Sequence, residues 1–435
     1  AKVELAFRLD QSDRTRPLAY QIGIRLRDGV IDNPALPVPL KNLSGEIFVD
    51  NSQVILRSLQ AENGASRLFL DGRVSRDPAS PSKKFVLQAR NLEFGREIER
   101  HLCGSLQEVY HALRPAGRFN IDLAAEFDDP TGWTIHLNQF EAYDCSVLPA
   151  EFPYLTQQIT GQVRQEGDRF LVEFTGLAGD RPVTVRGELR DPGPTVQIAL
   201  DVEVDDLPLD AALRQALTPP ELAPVGMALD RLRLSGLANV RARLARAGVS
   251  GSPVQVALDV GLHHAATNYV GFPYPVTDLS ARITFDPLAQ DPARRDIWLL
   301  TGIEARHGPA RMSGSGAFAV RGTQTLLDLE MTALGVPIDR DLEAACVSAS
   351  PRLRAAFDSI GRTGTVDVQN MRVLWSPPTR PVVVLPSIVV KDAALRLQQW
   401  PYAWERVTGT LAWEQDRLSI HHLTAWHGAE TYLQI

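Results

Sequence analysis

The chain has 435 residues, of which 44% are hydrophobic and 22% are charged. This balance excludes a disordered chain, because enough apolar surface is present to form a core. The formal net charge of -7 argues against nucleic acid as a partner, since that binding depends on phosphate neutralisation by Lys and Arg. No run of about 18 apolar residues is present, so the sequence predicts no membrane-spanning helix.

A pattern that recurs four times along the chain indicates internal repeats. Each copy starts a predicted strand with an aliphatic residue two positions before a small residue. The small residues are separated by 116, 120 and 128 residues, and they are Gly45, Gly161, Ala281 and Gly409. The copies read PLKNLSGEI (39–47), YLTQQITGQV (154–163), YPVTDLSARI (274–283) and YAWERVTGTL (402–411).

A strand, a tight turn and a second strand are predicted after each of these segments. The turn contains a glycine, preceded in three copies by Asn63, His307 or His427. We expect these three residues to adopt the positive φ of a tight hairpin. An excess of eight residues in the third copy, around 286–296, predicts a longer hairpin loop.

A helix-like stretch follows further on in each unit, and a new alternating strand follows the helix. The stretches lie at 92–113, 207–217 and 336–346. The sequence therefore predicts about three and a half repeat units, a window cut from a longer array. Residues 1–116 hold a partial unit and the end of the first complete unit (strands and the helix at 92–113), 117–235 form the second unit, 236–363 the third, and 364–435 the start of a truncated fourth.

Alternation of apolar and polar residues predicts about six strands in each unit, hence roughly twenty strands with three short helices. The helices are too few to cover the strands, and an open sheet of more than about ten strands curls or splits. Either each unit closes as a β-sandwich, or one sheet continues through all units. No Gly/Ser-rich or Pro-rich linker separates the units. We therefore predict a mainly-β fold, a long antiparallel sheet curled into an open groove (a β-taco) and built from repeated units of about six strands plus a short helix.

The apolar face of these strands is the candidate binding surface, because so large an uncovered face requires a ligand or partner. The predicted groove-lining residues are Ile22, Ile24, Ile121, Leu123, Val172, Phe174, Val183, Val185, Val196, Ile198, Leu200, Val202, Val254, Val256, Leu258, Val260, Leu327 and Leu329.

The histidines do not predict a metal site. His263–His264 and His421–His422 are adjacent pairs, and neighbours on a strand point to opposite faces of the sheet. Neither pair is therefore expected to bind one metal ion. Histidines on the polar face and in turns are the simpler interpretation.

Cysteines and carboxylates do not form a recognisable catalytic motif either. Asp205 and Asp206 are interpreted as the start of a helix. The thiols have no metal-ligand spacing and are interpreted as buried or idle; they belong to Cys103, Cys145 and Cys346. We therefore predict a protein that is not an enzyme and that has no catalytic residues, no metal and no cofactor.

In this repeat pattern the chain resembles the AsmA-like family of bacterial envelope proteins, with its TamB and YhdP types. These proteins belong to the repeating-groove, bridge-like lipid transfer proteins. The resemblance covers essentially the whole chain. It is carried by the Asn/His-Gly hairpin, by the long repeat and by the strand starts Leu43 to Ile47, Ile159 to Val163 and Val407 to Leu411.

The resemblance implies a non-enzymatic groove that carries phospholipid, or another lipid, between the inner and outer membranes of a diderm bacterium. It implies a periplasmic protein of the cell envelope, anchored in the inner membrane by a segment not present here. The implied partners are phospholipid acyl chains in the groove and envelope proteins, with membrane contact through regions outside this segment. The alternative is a structural or adhesive repeat protein of closed β-sandwich modules that carries no lipid.

Overall fold

The structure, a computed structural model, describes residues 2–11, 18–33, 39–77, 81–102, 104–128, 132–193, 195–321, 324–376, 381–396, 402–414 and 417–435. In these residues the chain forms 23 strands of one sheet and six short α-helices. The first of these strands pairs with the second and the last pairs with the one before it, so the sheet is open. The predicted mainly-β fold, a long antiparallel sheet with short helices, is confirmed.

The first eighteen strands come in three groups of six, and a pair of helices follows each group. The first group comprises β1 (Lys2–Asp10), β2 (Ala19–Ile31), β3 (Leu40–Asp50), β4 (Gln53–Asn63), β5 (Ser66–Ser75) and β6 (Ser82–Glu93), before α1 (Arg96–His101) and α2 (Ser105–Leu113). The second group comprises β7 (Ala116–Asp128), β8 (Gly132–Val147), β9 (Thr156–Glu166), β10 (Arg169–Ala178), β11 (Arg181–Arg190) and β12 (Gln197–Pro208), before α3 (Ala211–Ala216) and α4 (Ala223–Leu232).

A third group of six strands with its helices follows, and then a final run of five strands. The third group comprises β13 (Ser235–Arg246), β14 (Gln255–Thr267), β15 (Val276–Phe285), β16 (Ile297–His307), β17 (Ala310–Arg321) and β18 (Gln324–Pro337), before α5 (Arg340–Ala349) and α6 (Arg354–Ser359). The last strands are β19 (Thr365–Trp375), β20 (Val382–Arg396), β21 (Ala403–Glu414), β22 (Arg417–His427) and β23 (Thr431–Gln434). Short 3-10 turns lie at Pro292–Arg294 and Pro351–Leu353. The first of these lies in the long loop between β15 and β16, where the sequence predicted one.

The chain divides into two compact units. The first unit comprises Ala1–Val202 and Leu244–Val254, and the second comprises Glu203–Arg243 and Gln255–Ile435. The boundary between the units crosses β12 and β13 and does not fall at a helical pair. The repeat boundaries derived from the sequence therefore stay predictions.

The predicted helices are wrong in number, because each helical region is a pair of short helices. Gly104, with φ of 50°, precedes α2, so the stretch 92–113 is not one helix. Asp205 and Asp206 do not start a helix but belong to β12. The residue that caps α3 is Asp210, whose side chain accepts a hydrogen bond from the N–H of Leu213 at 3.0 Å.

A bulge recurs near one end of the strands with the period of the sequence repeat. Asp28, Asp144, His264 and Asp392 have φ values between 47° and 53°, and they are separated by 116, 120 and 128 residues. The strand register shifts at each of them. Asp and His are among the residues that adopt this conformation most readily. In each unit, the strand ends that carry these residues lie beside the helices, and we call the side of the sheet that they form the bulged edge. The side formed by the other strand ends is the opposite edge.

Side chains on the following strand satisfy the backbone N–H groups that such bulges leave free. This pairing occurs where each six-strand group meets the next, which makes it part of the repeat. The donor and acceptor pairs are Asn91 N with Asn120 Oδ1 (2.9 Å), Asp206 N with Asn239 Oδ1 (2.9 Å) and Gly335 N with Asp367 Oδ1 (2.7 Å).

The residues before the turn glycines have a different role from the one expected. Positive φ belongs to the glycines, such as Gly308 at 54°, and not to the residues before them. Asn63, His307 and His427 instead bond through their side chains to a main-chain carbonyl at the start of a neighbouring repeat segment. The three pairs are Asn63 Nδ2 with Pro39 O (2.6 Å), His307 Nδ1 with Pro275 O (2.7 Å) and His427 Nδ1 with Ala403 O (2.8 Å).

The recurring glycines of the sequence are explained by close approach of neighbouring strands. A Cβ atom on Gly161 would lie 2.2 Å from the carbonyl oxygen of Glu173. A Cβ atom on Gly187 would lie 2.0 Å from the carbonyl oxygen of Ala199. Both glycines also have φ values in the range that side chains disfavour, 159° and 152°. Glycines within the strands therefore allow neighbouring backbones to pack closely, whereas the turn glycines supply positive φ.

The interior of the fold is thin. Among the described hydrophobic residues, the side chains less than 2% exposed are all alanines. Few large side chains of the described residues are therefore fully removed from water.

Candidate functional site

One face of the sheet in the first unit is apolar across successive strands. Ile24 on β2 lies opposite Leu5 on β1 and Ile47 on β3, as strand pairing requires for side chains on one face. One row across the strands comprises Leu5, Ile24, Ile47, Leu56, Gly72, Phe85, Ala125 and Ile135. A second row comprises Ala89, Ile121, Phe140, Val163, Val172 and Gly187.

The second unit has an apolar face of the same kind, with larger aromatic side chains. Phe285 on β15 lies opposite Leu258 and Trp298, and the rings of Phe285 and Trp298 stack with centroids 4.6 Å apart. One row comprises Leu258, Phe285, Trp298, Phe318, Leu327 and Trp375. A second comprises Val260, Ile283, Leu300, Gly316, Leu329, Val373 and Val383.

At the bulged edge of the second unit, the apolar side chains are buried. Ala345 of α5 packs with Tyr274, Ala310 and Val336 in a cluster whose members are at most 5% exposed. A neighbouring cluster contains Trp404, Val390, Val407 and Ile338, with Ile360 just after α6 packed against it. The helical pair therefore covers this end of the strands.

The first unit has an aromatic cluster at its bulged edge. Phe119 on β7 packs between Phe94 and Phe140, with ring centroids 4.5 Å and 5.4 Å away. The ring centroid of Tyr110 on α2 lies 6.2 Å from that of Phe94. These distances are within the range for favourable aromatic pairs. In this unit too, a helix contributes to burial at the bulged edge.

Toward the opposite edge, large apolar side chains of the same face are exposed. In the first unit, Trp133 and Ile135 on β8 are 52% and 65% exposed. In the second unit, Leu418 and Ile420 on β22 are 54% and 48% exposed. Soluble monomers rarely leave contiguous apolar surface of this kind open to water. This part of the face is therefore the candidate functional site.

The other face of the sheet is polar and carries ion pairs across neighbouring strands. Arg282 binds Asp259 with Nε–Oδ1 and Nη2–Oδ2 distances of 2.9 and 2.5 Å, and its hydrogen bonds lower the pKa of Asp259. Arg372 pairs with Asp328 at 2.9 and 2.7 Å in the same way and lowers the pKa of that carboxyl. Charged pairs of this type suit a face in water. The two faces therefore differ sharply in polarity.

The eighteen predicted lining residues all lie on strands or directly beside one. Val172 and Val183 are buried, Val254 is exposed, and the other fifteen are half-buried. In the paired registers, Ile24, Leu258 and Leu327 belong to the apolar rows given above. Contact of these residues with lipid stays a prediction.

The histidine pairs behave differently from one another. His263 Nε2 lies 2.7 Å from Asp206 Oδ1, and its ring centroid is 5.6 Å from that of His264. The two rings are this close because His264 is in the left-handed conformation, so the alternation expected for this pair does not hold. His421 and His422 are both exposed on β22.

The described cysteines lie in apolar surroundings. Cys145 is buried, and burial raises the pKa of its thiol. Burial also raises the pKa of Cys346 on α5 to about 11. Cys103 lies outside the described residues. Thiols that stay protonated at neutral pH are poor nucleophiles.

The structure also brings together three side chains that the sequence did not connect. His307, at the end of β16, faces Asp339 and Asp341 at the start of α5. The two acidic residues are more than thirty positions away in the sequence, and only the packing of α5 against the bulged edge reveals the cluster.

No protein-family model matches the sequence, no curated protein matches it, and no solved structure matches its fold. Among the described residues, none of the helices has the length and apolarity that crossing a bilayer requires. The geometry of the apolar face is therefore the basis for a functional proposal.

Proposed function

We propose that this chain binds the acyl chains of phospholipid, or of another lipid, on the apolar face of its sheet and carries lipid without chemical change. The observation that carries the proposal is the exposure of large apolar side chains on that face, such as Trp133 and Ile135 in the first unit. A hydrophobic ligand is the simplest partner for such a surface, because burying the surface is itself the driving force.

The energetics favour long acyl chains over small apolar ligands. Each buried methylene contributes about 0.8 kcal/mol, so a chain of about 16 carbons gains up to roughly 13 kcal/mol. The rows of aliphatic and aromatic side chains offer many equivalent contacts. A lipid that shifts by one strand exchanges one such set for another, and its polar headgroup stays in water.

Such a face supplies binding but no direction of movement. Hydrophobic attraction is non-directional, so net transport requires a lipid gradient or a partner protein. Transfer between the inner and outer membranes of a diderm bacterium, in the periplasm, is the setting that the AsmA-like repeat pattern implies. This part of the proposal rests on the sequence resemblance.

Lipid binding is tested by purifying the chain, extracting it with organic solvent and analysing the extract for phospholipid. A fluorescent phospholipid then measures binding, and transfer between donor and acceptor vesicles measures carriage. We expect co-purified phospholipid and faster transfer than without protein. A folded protein that is free of lipid and does not accelerate transfer would overturn the proposal and favour a structural or adhesive role.

Paired substitutions on one strand locate the binding face. Ile135→Glu and Leu300→Glu place a charge on the apolar face of the first and second unit. Thr134→Glu and Thr301→Glu place the same charge on the neighbouring residue, which points to the polar face. We expect only the first two variants to lose lipid binding. Equal losses from both members of a pair would show that binding is not on the apolar face.

A further inference from the structure

Three potential metal ligands meet in the second unit, where the β16–β17 hairpin lies beside the start of α5. His307 Nε2 is 3.7 Å from Asp339 Oδ2 and 3.8 Å from Asp341 Oδ2. These separations are too long for hydrogen bonds. They are close to the ~3.4 Å between two ligand atoms that share a tetrahedral zinc ion with bonds of about 2.1 Å.

Two of the three ligands are already oriented by the backbone. His307 Nδ1 lies 2.7 Å from the carbonyl oxygen of Pro275, and because a carbonyl only accepts, Nδ1 carries the proton. The neutral ring therefore has its lone pair on Nε2, which is the usual arrangement of a metal-binding histidine. Asp339 Oδ1 accepts from the N–H of Leu342 at 2.9 Å, which leaves Oδ2 facing His307.

The other copies of the hairpin show which of these contacts belong to the repeat. Asn63 and His427 make the same carbonyl bond as His307, so that bond is structural. Among the described residues, however, only His307 belongs to a cluster of potential metal ligands. Asp339 caps α5 as Asp210 caps α3, whereas Ala212 occupies the place of Asp341. Asp341 is thus particular to this copy and is not needed for the hairpin.

A buried hydroxyl group beside the cluster provides a second, independent observation. The ring of Tyr274 lies against that of His307, with centroids 4.1 Å apart, and the residue is 5% exposed. Its hydroxyl group is buried without a hydrogen-bond partner in the structure. A buried donor without an acceptor is costly, and an oxygen atom bound beside the cluster would relieve that cost.

We propose that His307, Asp339 and Asp341 bind a divalent transition-metal ion of the zinc type, with a bound water that accepts a hydrogen bond from Tyr274. The ion joins the hairpin to the first turn of α5 and fixes the helix on the bulged edge. It also neutralises two carboxylates that lie side by side.

The donor set decides the class of metal. An imidazole with two carboxylates suits Zn²⁺ and related ions, whereas Mg²⁺ and Ca²⁺ prefer sites made of oxygen ligands alone. Cys346, also on α5, is not part of this cluster. The site is therefore one of nitrogen and oxygen ligands.

The test is a titration of the whole, tag-free chain with Zn²⁺ after treatment with a chelator, followed by calorimetry and thermal melting. We expect one ion per chain and a melting temperature that rises with Zn²⁺, because an ion that binds only the folded state stabilises it. Mg²⁺ and Ca²⁺ at the same concentration should not raise it.

Three variants remove ligands while they keep the structural contacts. His307→Asn preserves the carbonyl bond, as Asn63 shows, and Asp339→Asn preserves a helix cap. Asp341→Asn changes an exposed residue. Each should weaken Zn²⁺ binding at least about 10-fold, since loss of a mere supporting partner already costs that much.

His427→Asn is the matched control, because His427 has the same carbonyl bond but is not part of the cluster. It should leave Zn²⁺ binding unchanged. Absence of stoichiometric Zn²⁺ binding, or equal binding by the wild type and the three ligand variants, would overturn the proposal. So would an equal rise in melting temperature with Mg²⁺. These results do not depend on whether the chain binds lipid.

Discussion

The apolar face is covered by neighbouring strands and helices at the bulged edge but is open to water toward the opposite edge. We expect the covered part to stabilise the fold and the open part to bind a ligand. At the bulged edge of the second unit, Val407 and Val390 are packed below 10% exposure by neighbouring strands and the helical region. Toward the opposite edge, Leu418 and Ile420 on the same face remain about half exposed. Buried contacts dominate folding free energy, so we infer that the bulged edge holds the sheet together. The opposite edge keeps its apolar surface for a ligand.

A charge introduced at the bulged edge should cause the largest loss of folding free energy. Val407→Asp buries a carboxylate without a partner in an apolar cluster, which costs about 3–5 kcal/mol of folding free energy. Urea denaturation measures the loss, and hydrogen exchange shows whether α5, α6 and β19–β22 open first.

Val383→Asp is the control for that variant, because it places the same charge on the same face toward the opposite edge. Val383 is 37% exposed, so its new carboxylate stays in contact with water and costs far less. If the two variants destabilise the chain equally, the distinction between the edges is wrong.

A smaller loss of folding free energy is expected from substitution of Asp367, whose side chain accepts a hydrogen bond from the N–H of Gly335. Asp367→Ala leaves the N–H of Gly335 without its partner and removes the ion pair with Lys391, at a cost of about 1–3 kcal/mol. Asp367→Asn should cost less, because Asn120 and Asn239 fill the equivalent position in the other groups. Comparison of the two variants by urea denaturation separates the hydrogen bond from the ion pair.

The same residue predicts a dependence on pH. The hydrogen bond from Lys391, with that from Gly335, lowers the pKa of Asp367 in the folded chain. Its contribution is therefore present above the unfolded pKa of about 3.9 and is lost as the pH falls through the lower folded value. The stability difference between the wild type and Asp367→Asn should shrink below about pH 4. A difference that is constant down to pH 2 would contradict this account.

The smallest effect on stability is expected at the opposite edge. Ile420→Glu should change the free energy of unfolding by no more than about 0.5 kcal/mol without lipid, because the side chain is already exposed. The wild type should melt at a higher temperature with phospholipid than without it, and the variant should lose most of that rise. A large loss of stability in lipid-free buffer would mean that Ile420 belongs to the core.

The strands were predictable from the sequence because their signal is local. Alternation at positions such as Val256, Leu258 and Val260 and the spacing of Gly45, Gly161 and Gly409 directly reflect strand geometry and close strand contacts. The helices were harder to predict, since pairs of six to ten residues interrupted by Gly or Pro carry little periodic signal.

The bulges and the histidine cluster could not be predicted in the same way. Asp, His, Gln and Arg all occupy left-handed bulge positions in different copies, so no single residue type marks them. His307 and Asp339 come together only because β17 and β18 return the chain to the bulged edge before α5 begins. That contact depends on topology, which neither residue signals locally.

The pairing of strands with their neighbours in sequence, as in β1–β2 and β14–β15, also bears on how such a chain grows and folds. Hairpins between adjacent strands need only short loops to close, so ordering begins locally and spreads from one hairpin to the next. Gene duplication or deletion of a six-strand group then changes the number of strands and disturbs contacts only at the junction. Evolution can in this way change how much apolar face the sheet presents with few compensating mutations.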